Sequence, residues 1–202
     1  MTAATEIVVC RTGTANLASV FAGLRRAGGA PRMAKNAQDV VGASHVMLPG
    51  VGAFGASMRA LRDGGLEDAL RERIDAGRPT LAICVGLQLL CRNSEETPGA
   101  PGLDILPLTA TRFPNTVRVP QLGWNRIDAE SGCDLLTSGF VYFANSYRIT
   151  GVPEGWLGAT ADHGGPFVAA LERGPVVACQ FHPELSGQFG HVLLERWIGM
   201  PC

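Results

Sequence analysis

The sequence predicts an α/β fold in which helices flank a mixed β-sheet and the second half of the chain is rich in strands. In the first 90 residues, short apolar runs alternate with segments that carry apolar residues at helical spacing. Between residues 103 and 180, helical patterns are scarce and short apolar or alternating runs dominate. With 202 residues, 46% of them hydrophobic and 17% charged, the composition suits one compact domain over residues 1–202.

Three apolar runs in the first half predict buried strands, at residues 6–11, 43–48 and 81–83. The first run leads through a turn that contains Gly13 into a helix, which starts near Leu17 and stops at Gly28-Gly29. A further helix is predicted over residues 57–70, with a break at Gly64-Gly65.

The second half is predicted to consist mainly of strands with mixed or antiparallel pairing. A loop at residues 120–125 leads into a strand around Ile127, and a helix closes the chain at residues 189–198. The other predicted strands are residues 103–108, 117–119, 141–149, 167–171 and 176–181.

Charge and cysteine usage exclude some classes of protein. The net charge is −1 and the arginines are scattered, which argues against nucleic acid as a partner. No apolar run is long enough to span a bilayer, and the N-terminal residues lack a basic region, so we expect no membrane span and no signal peptide. The six cysteines lack metal-type C-x-x-C spacing, which predicts reduced thiols in a cytoplasmic protein, without a metal site or a cofactor.

Cys84 stands where the apolar run 81–83 turns into a helix-like segment. A sharp turn from strand to helix exposes such a side chain and directs the first N–H groups of the helix towards it, which favours the thiolate. Cys84 is therefore a candidate nucleophile. The alternative is a small, buried and inert cysteine on an apolar strand, and this stretch alone does not separate the two.

A glycine-rich loop, Pro49-Gly50-Val51-Gly52-Ala53-Phe54-Gly55, follows the strand at 43–48. Backbone amides in such a loop can turn outwards and bind an oxyanion or a phosphate, although a plain connection between strand and helix is the commoner case. The pattern G-x-G-x-x-G is absent from the first strand–helix turn, which makes a nucleotide-binding interpretation poor.

The run 176–181 ends in His182-Pro183-Glu184, so a histidine stands at the end of a strand, where catalytic residues of open sheets gather. Glu184 lies two residues further on and can reach the imidazole. It would then orient His182, as the acid of a Cys–His–acid triad does. Alone, each residue is better explained as part of a surface loop, but the combination with Cys84 and the amide-rich loop predicts a catalytic site.

Together these stretches resemble the class I glutamine amidotransferases of the triad type. Within that group the chain most resembles the glutaminase subunit of imidazole glycerol phosphate synthase, and the similarity extends over nearly the whole chain. Its motifs lie at residues 12–20, 49–54, 83–90, 94–96, 119–125, 142–147 and 180–184.

The resemblance implies a flavodoxin-like sheet and the hydrolysis of L-glutamine without a cofactor. Cys84 would attack the side-chain amide of glutamine, and His182 would protonate the departing ammonia and then activate the water that cleaves the thioester. The oxyanion would be bound by backbone N–H groups of Gly50, Val51, Gly52 and Val85. The substrate would be held by Gln88, Glu96, Ser146 and Tyr147.

The resemblance also implies a partner. In that family the ammonia passes to a (β/α)8 cyclase subunit, the loop that begins at Pro49 must rearrange before catalysis, and the isolated glutaminase is nearly idle. Four positions depart from the family pattern: Ala82, Gln121, Asn145 and Leu185, and the first turn lacks the usual Tyr-Gly-Met-Gly. These departures leave open a related subunit that supplies ammonia to a different synthase.

The sequence leaves three other hypotheses about the function. A non-catalytic binding subunit with the same fold is disfavoured because Cys84, His182 and Glu184 are all present. A free-standing cysteine hydrolase or peptidase gives no reason for the segment Ser94-Glu95-Glu96. A flavin or nucleotide binder is disfavoured by the missing phosphate motif.

Overall fold

The computed structural model describes residues 4–13, 17–50 and 52–202. The strands of the first half are β1 (Thr5–Val9), β2 (Gly29–Met33), β3 (His45–Leu48) and β4 (Thr80–Ile83). The helices among them are α1 (Leu17–Arg26), α2 (Ala37–Gly42), α3 (Phe54–Asp63), α4 (Glu67–Asp75) and α5 (Val85–Leu89). Within the described ranges, none of the helices has the length and apolar character needed to cross a membrane.

The second half contains eight strands, one 3-10 turn and one helix in the described residues. The strands are β5 (Cys91–Ser94), β6 (Leu106–Arg112), β7 (Gln121–Ala129), β8 (Gly139–Asn145), β9 (Tyr147–Arg148), β10 (Leu157–Asp162), β11 (Pro166–Arg173) and β12 (Val176–Cys179). A 3-10 turn (Pro183–Leu185) and the helix α6 (Gly187–Ile198) follow.

One mixed sheet dominates the molecule. Its nine strands lie in the order β2-β1-β3-β4-β12-β11-β10-β7-β8. Neighbours from β2 to β12 are parallel, whereas the pairs from β12 to β8 are antiparallel. A second sheet of three short strands has the order β5-β6-β9. The predicted α/β class with a mixed sheet and a strand-rich second half is confirmed.

The central strands form the core. Every residue of β3, β4 and β12 is buried, as are the last three residues of β1. Strands covered on both faces need continuous apolar sequences, and the runs at 6–11, 43–48, 81–83 and 176–181 supply them. The core therefore holds β4 and β12 in the middle of the sheet. The residues that directly follow these two strands are fixed in position as a result.

The predicted break at Gly64-Gly65 is confirmed. Gly65 has a φ of 65°, and the two glycines separate α3 from α4. The helical region is longer than residues 57–70, since α3 begins at Phe54 and α4 ends at Asp75. The helix α1 likewise ends at Arg26, just before Gly28, which has a φ of 88°.

Two predictions in the second half are wrong. Residues 117–119 form no strand, because the N–H of Val117 closes a turn on the carbonyl of Pro114 and its side chain lies within contact distance of Gly164. Residues 121–125 are not a loop but the beginning of β7, which pairs with β8 from Gln121 onwards. The predicted strand at 141–149 is divided at Ser146 into β8 and β9.

Four short elements had no clear sequence signal. The edge strand β2 contains a glycine and a proline, which normally argue against a strand. The helix α2 has six residues and depends on the side chain of Asn36, which accepts a hydrogen bond from the N–H of Asp39 at 3.0 Å. The strand β5 is largely polar, and β10 consists mainly of small residues.

The buried guanidinium of Arg73 joins α4 to the segment between α2 and β3. Arg73 is 1% exposed, and burial together with the nearby Arg78 lowers its pKa to about 10, so it stays charged at neutral pH. Its N–H groups donate hydrogen bonds to the carbonyls of Val40, Ala43, Ser44 and Pro79 and to the hydroxyl of Thr80. One side chain thus satisfies several buried acceptors from different parts of the chain.

Candidate active site

The ends of three neighbouring parallel strands bring the candidate residues together. Cys84 follows β4, the loop that begins at Pro49 follows β3, and Gln180-Phe181-His182 follows β12. The last paired residues of β4 and β12 are Ile83 and Cys179, so the chain leaves both strands at the same level. Carboxyl ends of parallel strands are the usual place for a site in an open α/β sheet.

Cys84 lies in an unusual backbone conformation, with φ 54° and ψ −110°. Non-glycine residues rarely adopt a positive φ, and such strain costs about 1–3 kcal/mol and gathers at functional sites. The N–H of Cys84 donates to the carbonyl of Cys179 at 2.6 Å, which ties the turn to β12. The predicted turn from strand to helix is therefore present. However, α5 has only five residues, so its macrodipole is small.

His182 and Glu184 form a buried pair. The Nδ1 of His182 donates a hydrogen bond to Oε1 of Glu184 at 2.9 Å, and both side chains are about 5% exposed. The backbone around them is anchored, because the N–H of His182 donates to the carbonyl of Tyr142 and the hydroxyl of Ser186 donates to the carbonyl of His182. This hydrogen bond leaves Nε2 as the imidazole nitrogen that is free to serve the reaction.

The surroundings of His182 favour its charged form. Burial alone lowers the pKa of His182, but hydrogen bonds with Cys84 and Glu184 and the charges of both outweigh it and raise the pKa to about 10. His182 is thus an imidazolium at neutral pH, and it lines the same cavity as Cys84. An adjacent imidazolium stabilises a thiolate, which is the reactive form of cysteine.

The raised pKa of His182 predicts a pH-dependent part of the stability. In the unfolded chain a histidine titrates near 6.5, so the stabilisation from the imidazolium is complete below about pH 6.5 and is lost as the pH rises through about 10. Replacing His182→Gln should therefore cost more free energy of unfolding at pH 6 than at pH 10, measured by urea denaturation. In a Cys84→Ala background the pH dependence should be smaller. A cost that is the same at both pH values would contradict the assignment.

The loop after β3 is packed directly against the turn at Cys84. A Cβ on Gly50 would lie 2.1 Å from the backbone nitrogen of Gly86 and 2.4 Å from that of Val85. Conversely, a Cβ on Gly86 would lie 2.2 Å from the carbonyl oxygen of Leu48. Both glycines are thus required by close approach of backbones. Gly52 is required for a different reason, because its φ of 121° is a backbone conformation that favours glycine. Val51 lies outside the described residues.

A cavity of about 400 Å³ lies over this edge of the sheet. It is lined by Cys84, His182, Glu184, Gly50, Gly52, Val85, Gln88, Glu96, Ser146 and Tyr147, which are all the predicted site residues except Val51. Its lining also includes Ser19, Ala144, Asn145 and Leu185, of which only Asn145 and Leu185 drew notice in the sequence, as departures from a motif. The break between β8 and β9 places Ser146 and Tyr147 in the wall of the cavity.

Gln88 and Glu96 are each held by a backbone contact. The side-chain N–H groups of Gln88 donate to the carbonyl of Tyr147 at 3.3 Å and to Oε1 of Gln180 at 3.0 Å. Oε2 of Glu96 accepts a hydrogen bond from the N–H of Phe54 at 2.6 Å, at the start of α3. Because the N-cap Ala53 offers no side-chain acceptor, Glu96 takes that role from another segment.

The four departures occupy three different environments. Ala82 is buried in β4 between β3 and β12, where its methyl group is accommodated. Gln121 and Asn145 face each other across β7 and β8, and each has a buried oxygen without a hydrogen-bond partner. Leu185 is exposed and lines the cavity.

The charged and sulfur-bearing side chains do not suggest a metal centre. In the part of the chain that the structure describes, no three or more His, Cys, Asp or Glu residues are grouped so that they could hold a metal ion. All six cysteines are free. The side chains of Cys84, His182 and Glu184 line the cavity.

Comparison with known proteins gives the class to which this fold and site belong. The family model "Glutamine amidotransferase class-I" matches residues 32–198. The chain therefore belongs to the class-I glutamine amidotransferase family, and the recognition made from its motifs is confirmed. A solved structure described as a glutamine amidotransferase has a TM-score of 0.74 and 22% identity, and the match covers 96% of this chain and 99% of that one, which supports the fold.

Within the family, similarity to one kind of subunit extends over nearly the full length. The chain is 41% identical over 205 residues to "Imidazole glycerol phosphate synthase subunit HisH" of Mycobacterium leprae, with 96% of this chain and 97% of the relative covered. It is 37% identical over 201 residues to the protein of the same name from Symbiobacterium thermophilum, with 98% and 95% covered.

Proposed function

We propose that this protein is the glutaminase subunit of an imidazole glycerol phosphate synthase. It hydrolyses L-glutamine to glutamate and ammonia and delivers the ammonia to a (β/α)8 cyclase partner for histidine biosynthesis. The observation that carries the proposal is the buried hydrogen bond of His182 to Glu184 next to Cys84, inside a cavity of about 400 Å³. The names of the full-length relatives supply the biosynthetic context.

The three residues divide the chemistry between them. The Cys84 thiolate attacks the side-chain amide carbon of glutamine, and a γ-glutamyl thioester forms as the C–N bond breaks. His182 gives its proton to the departing ammonia and then accepts one from the water that hydrolyses the thioester. Glu184 keeps the imidazole in orientation and stabilises its charged form throughout.

The remaining lining residues bind the substrate and the developing negative charge. Backbone N–H groups of the loop Gly50-Val51-Gly52 and of Val85 bind the oxyanion. Gln88 and Glu96 present acceptors for the α-ammonium group of glutamine, and the backbone at Ser146 and Tyr147 completes the pocket. Gln88 suits this role because both N–H groups of its side chain are already used, which leaves its oxygen as the free atom.

An exposed apolar surface beside the cavity suits a protein partner. Leu122, Trp124 and Phe140 on β7 and β8 are each about 60% exposed, and Leu185 is 43% exposed at the cavity. Trp124 also packs edge-on against Tyr142, so the side chains of the two strands lie on one face. Large exposed apolar groups in one region mark interaction sites. Because this surface is next to the cavity, a docked cyclase could receive ammonia without its release to solvent, in a heterodimer.

The free cysteine thiols indicate the cellular compartment in which the protein acts. All six cysteines are free and Cys84 must stay reduced to act, which suits the cytoplasm, where thiols are kept reduced. The proposed subunit consists of one domain, and the glutamine cavity and the apolar surface belong to the same sheet.

The test is glutamate release from glutamine by the chain alone and with a histidine-pathway cyclase loaded with its nucleotide ligand. We expect little turnover alone and a rise of about 100-fold or more with the loaded partner, since ordering of an oxyanion donor is worth about that factor. The variant Leu122→Glu/Phe140→Glu should lose most of this rise, because it charges the apolar surface without altering the cavity. The variant Gln38→Glu, on the exposed side of α2, is the control and should keep it.

A flat response to the cyclase would contradict the proposed partner. A Cys84 that still reacts with a glutamine-like electrophile would then indicate a different ammonia-accepting synthase. A Cys84 that does not react would indicate a non-catalytic binding subunit.

A further inference from the structure

Gln180 connects the substrate side of the cavity to the nucleophile. It follows β12 directly, is fully buried, and its backbone N–H donates to the carbonyl of Ala169 at 2.8 Å. Its Oε1 accepts a hydrogen bond from Nε2 of Gln88 at 3.0 Å, and its Nε2 donates to Sγ of Cys84 at 3.7 Å. We propose that Gln180 is a positioning residue for glutamine hydrolysis, which directs a neutral N–H donor at the sulfur of Cys84 and couples that sulfur to Gln88.

The orientation of both amides is determined by one backbone carbonyl. A carbonyl can only accept, so the carbonyl of Tyr147 requires the nitrogen of Gln88 at 3.3 Å. The second N–H of that nitrogen points to Gln180, which must therefore present its oxygen. The NH₂ group of Gln180 is then left to face Cys84. The opposite amide orientation of Gln180 would place two NH₂ groups against each other and an oxygen against the sulfur.

This arrangement complements the imidazolium of His182. The sulfur of Cys84 lies near the imidazolium of His182 and the fixed neutral N–H donor of Gln180, with the carbonyl of Ala144 at 4.0 Å. The donor is buried and held at its other end, so it needs no reorganisation when charge develops on the sulfur. The role in hydrolysis rests on the proposed function, whereas the effect on the sulfur does not.

The test measures alkylation of Cys84 by iodoacetamide as a function of pH, read by mass spectrometry on the peptide that contains Cys84. The exposed Cys202 reacts as well, so the peptide readout is essential. Gln180→Glu keeps the acceptor for Gln88 but places a carboxylate against the sulfur. The pH midpoint of alkylation should rise by about one unit or more. Gln180→Met removes both hydrogen bonds and should raise the midpoint by a smaller amount.

Kinetics with the assembled synthase separate positioning from substrate binding. Gln180→Glu should lower kcat for glutamine about 10- to 100-fold with KM changed by less than about 3-fold, since Gln88 keeps its acceptor. Gln180→Met should lower kcat and also raise KM, because Gln88 loses its orientation. Gln38→Glu introduces the same change of charge on the exposed side of α2 and should leave the alkylation midpoint and both kinetic constants unchanged.

A double variant tests the connection itself. If Gln88 acts on the sulfur through Gln180, then Gln88→Met should raise the midpoint in the wild-type background and have no further effect in Gln180→Met. An unchanged midpoint in folded Gln180→Glu and Gln180→Met would overturn the proposal, and if the glutamate variant does not fold, the methionine variant decides. Failure of the proposed function would appear separately, as absence of glutamine turnover with the alkylation shifts intact.

Discussion

Replacing Cys84→Ala is expected to lower glutamate release from glutamine by more than about 10³-fold, even with the partner present, because no other side chain in the cavity can form the thioester. The sulfur lies at a strained turn between β4 and α5, next to an imidazolium, and 5% exposed. Removal of the thiol should leave the fold intact, since the strain belongs to the backbone. The measurement is a coupled glutamate assay together with partner binding by titration calorimetry.

The matched control for that experiment is Cys133→Ser, a partly exposed free cysteine that does not line the cavity. It should keep wild-type turnover within about 2-fold, as a surface substitution away from special features does. Loss of partner binding by Cys84→Ala would instead mean that the residue is structural. Residual turnover near that of the wild type would exclude Cys84 as the nucleophile.

Replacing Arg73→Met is expected to lower the free energy of unfolding by about 3–5 kcal/mol, the range of an abolished buried hydrogen-bond network. The methionine keeps the apolar stem but removes the Arg73 donor from the carbonyls of Val40 and Ser44. The carbonyls of Ala43 and Pro79 also lose a hydrogen bond, although Arg78 and the N–H of Val46 still donate to them. The thermal midpoint should fall by about 10 °C in a domain of this size. Urea denaturation and calorimetry measure both quantities.

Arg62→Met is the control for the loss of a positive charge. Arg62 is half exposed and forms an ion pair with Glu67 at 3.0 Å. An exposed ion pair is worth at most about 1 kcal/mol, so the loss of stability should be correspondingly small. Equal losses in the two variants would show that net charge, and not the satisfaction of buried carbonyls, determines the effect of Arg73.

The strands that could be predicted from the sequence are those that are buried on both faces of the sheet, because such strands need apolar residues at every position. The runs behind β1, β3, β4 and β12 are apolar because those strands lie at the centre of the sheet. Strands at the edge of the large sheet or in the small sheet are less buried, so their sequences need not be continuously apolar. The strand β2 tolerates Pro31 because it is an edge strand, and β5 is polar because it belongs to the small sheet. The segment 117–119 has strand-forming residues, but it pairs with none of the strands in the described part of the chain.

The site residues that could be predicted from the sequence are those with reactive side chains in a recognised motif. Cys84, His182 and Glu184 belong to this group, and the structure brings their strand ends together. Gln180 lies within the motif 180–184 but was given no role, because an amide at the end of an apolar strand has no chemical signal of its own. Its contacts with Gln88 and Cys84 span 92 and 96 residues of sequence. Ser19 lies within the motif 12–20 but was not predicted to line the cavity, since a serine on the first turn of a helix is ordinary.

The close approach of Gly50 to the turn after Cys84, and of Gly86 to Leu48, has a mechanical consequence for the loop between β3 and α3. Backbone atoms occupy the space beside both glycines, so this part of the loop moves together with the nucleophile turn or not at all. At its other end, the loop is tied where Phe54 donates to Glu96. A rearrangement that spares Cys84 must therefore pivot between these two anchors, and Gly52, with its φ of 121°, is the described residue there that can rotate without steric cost.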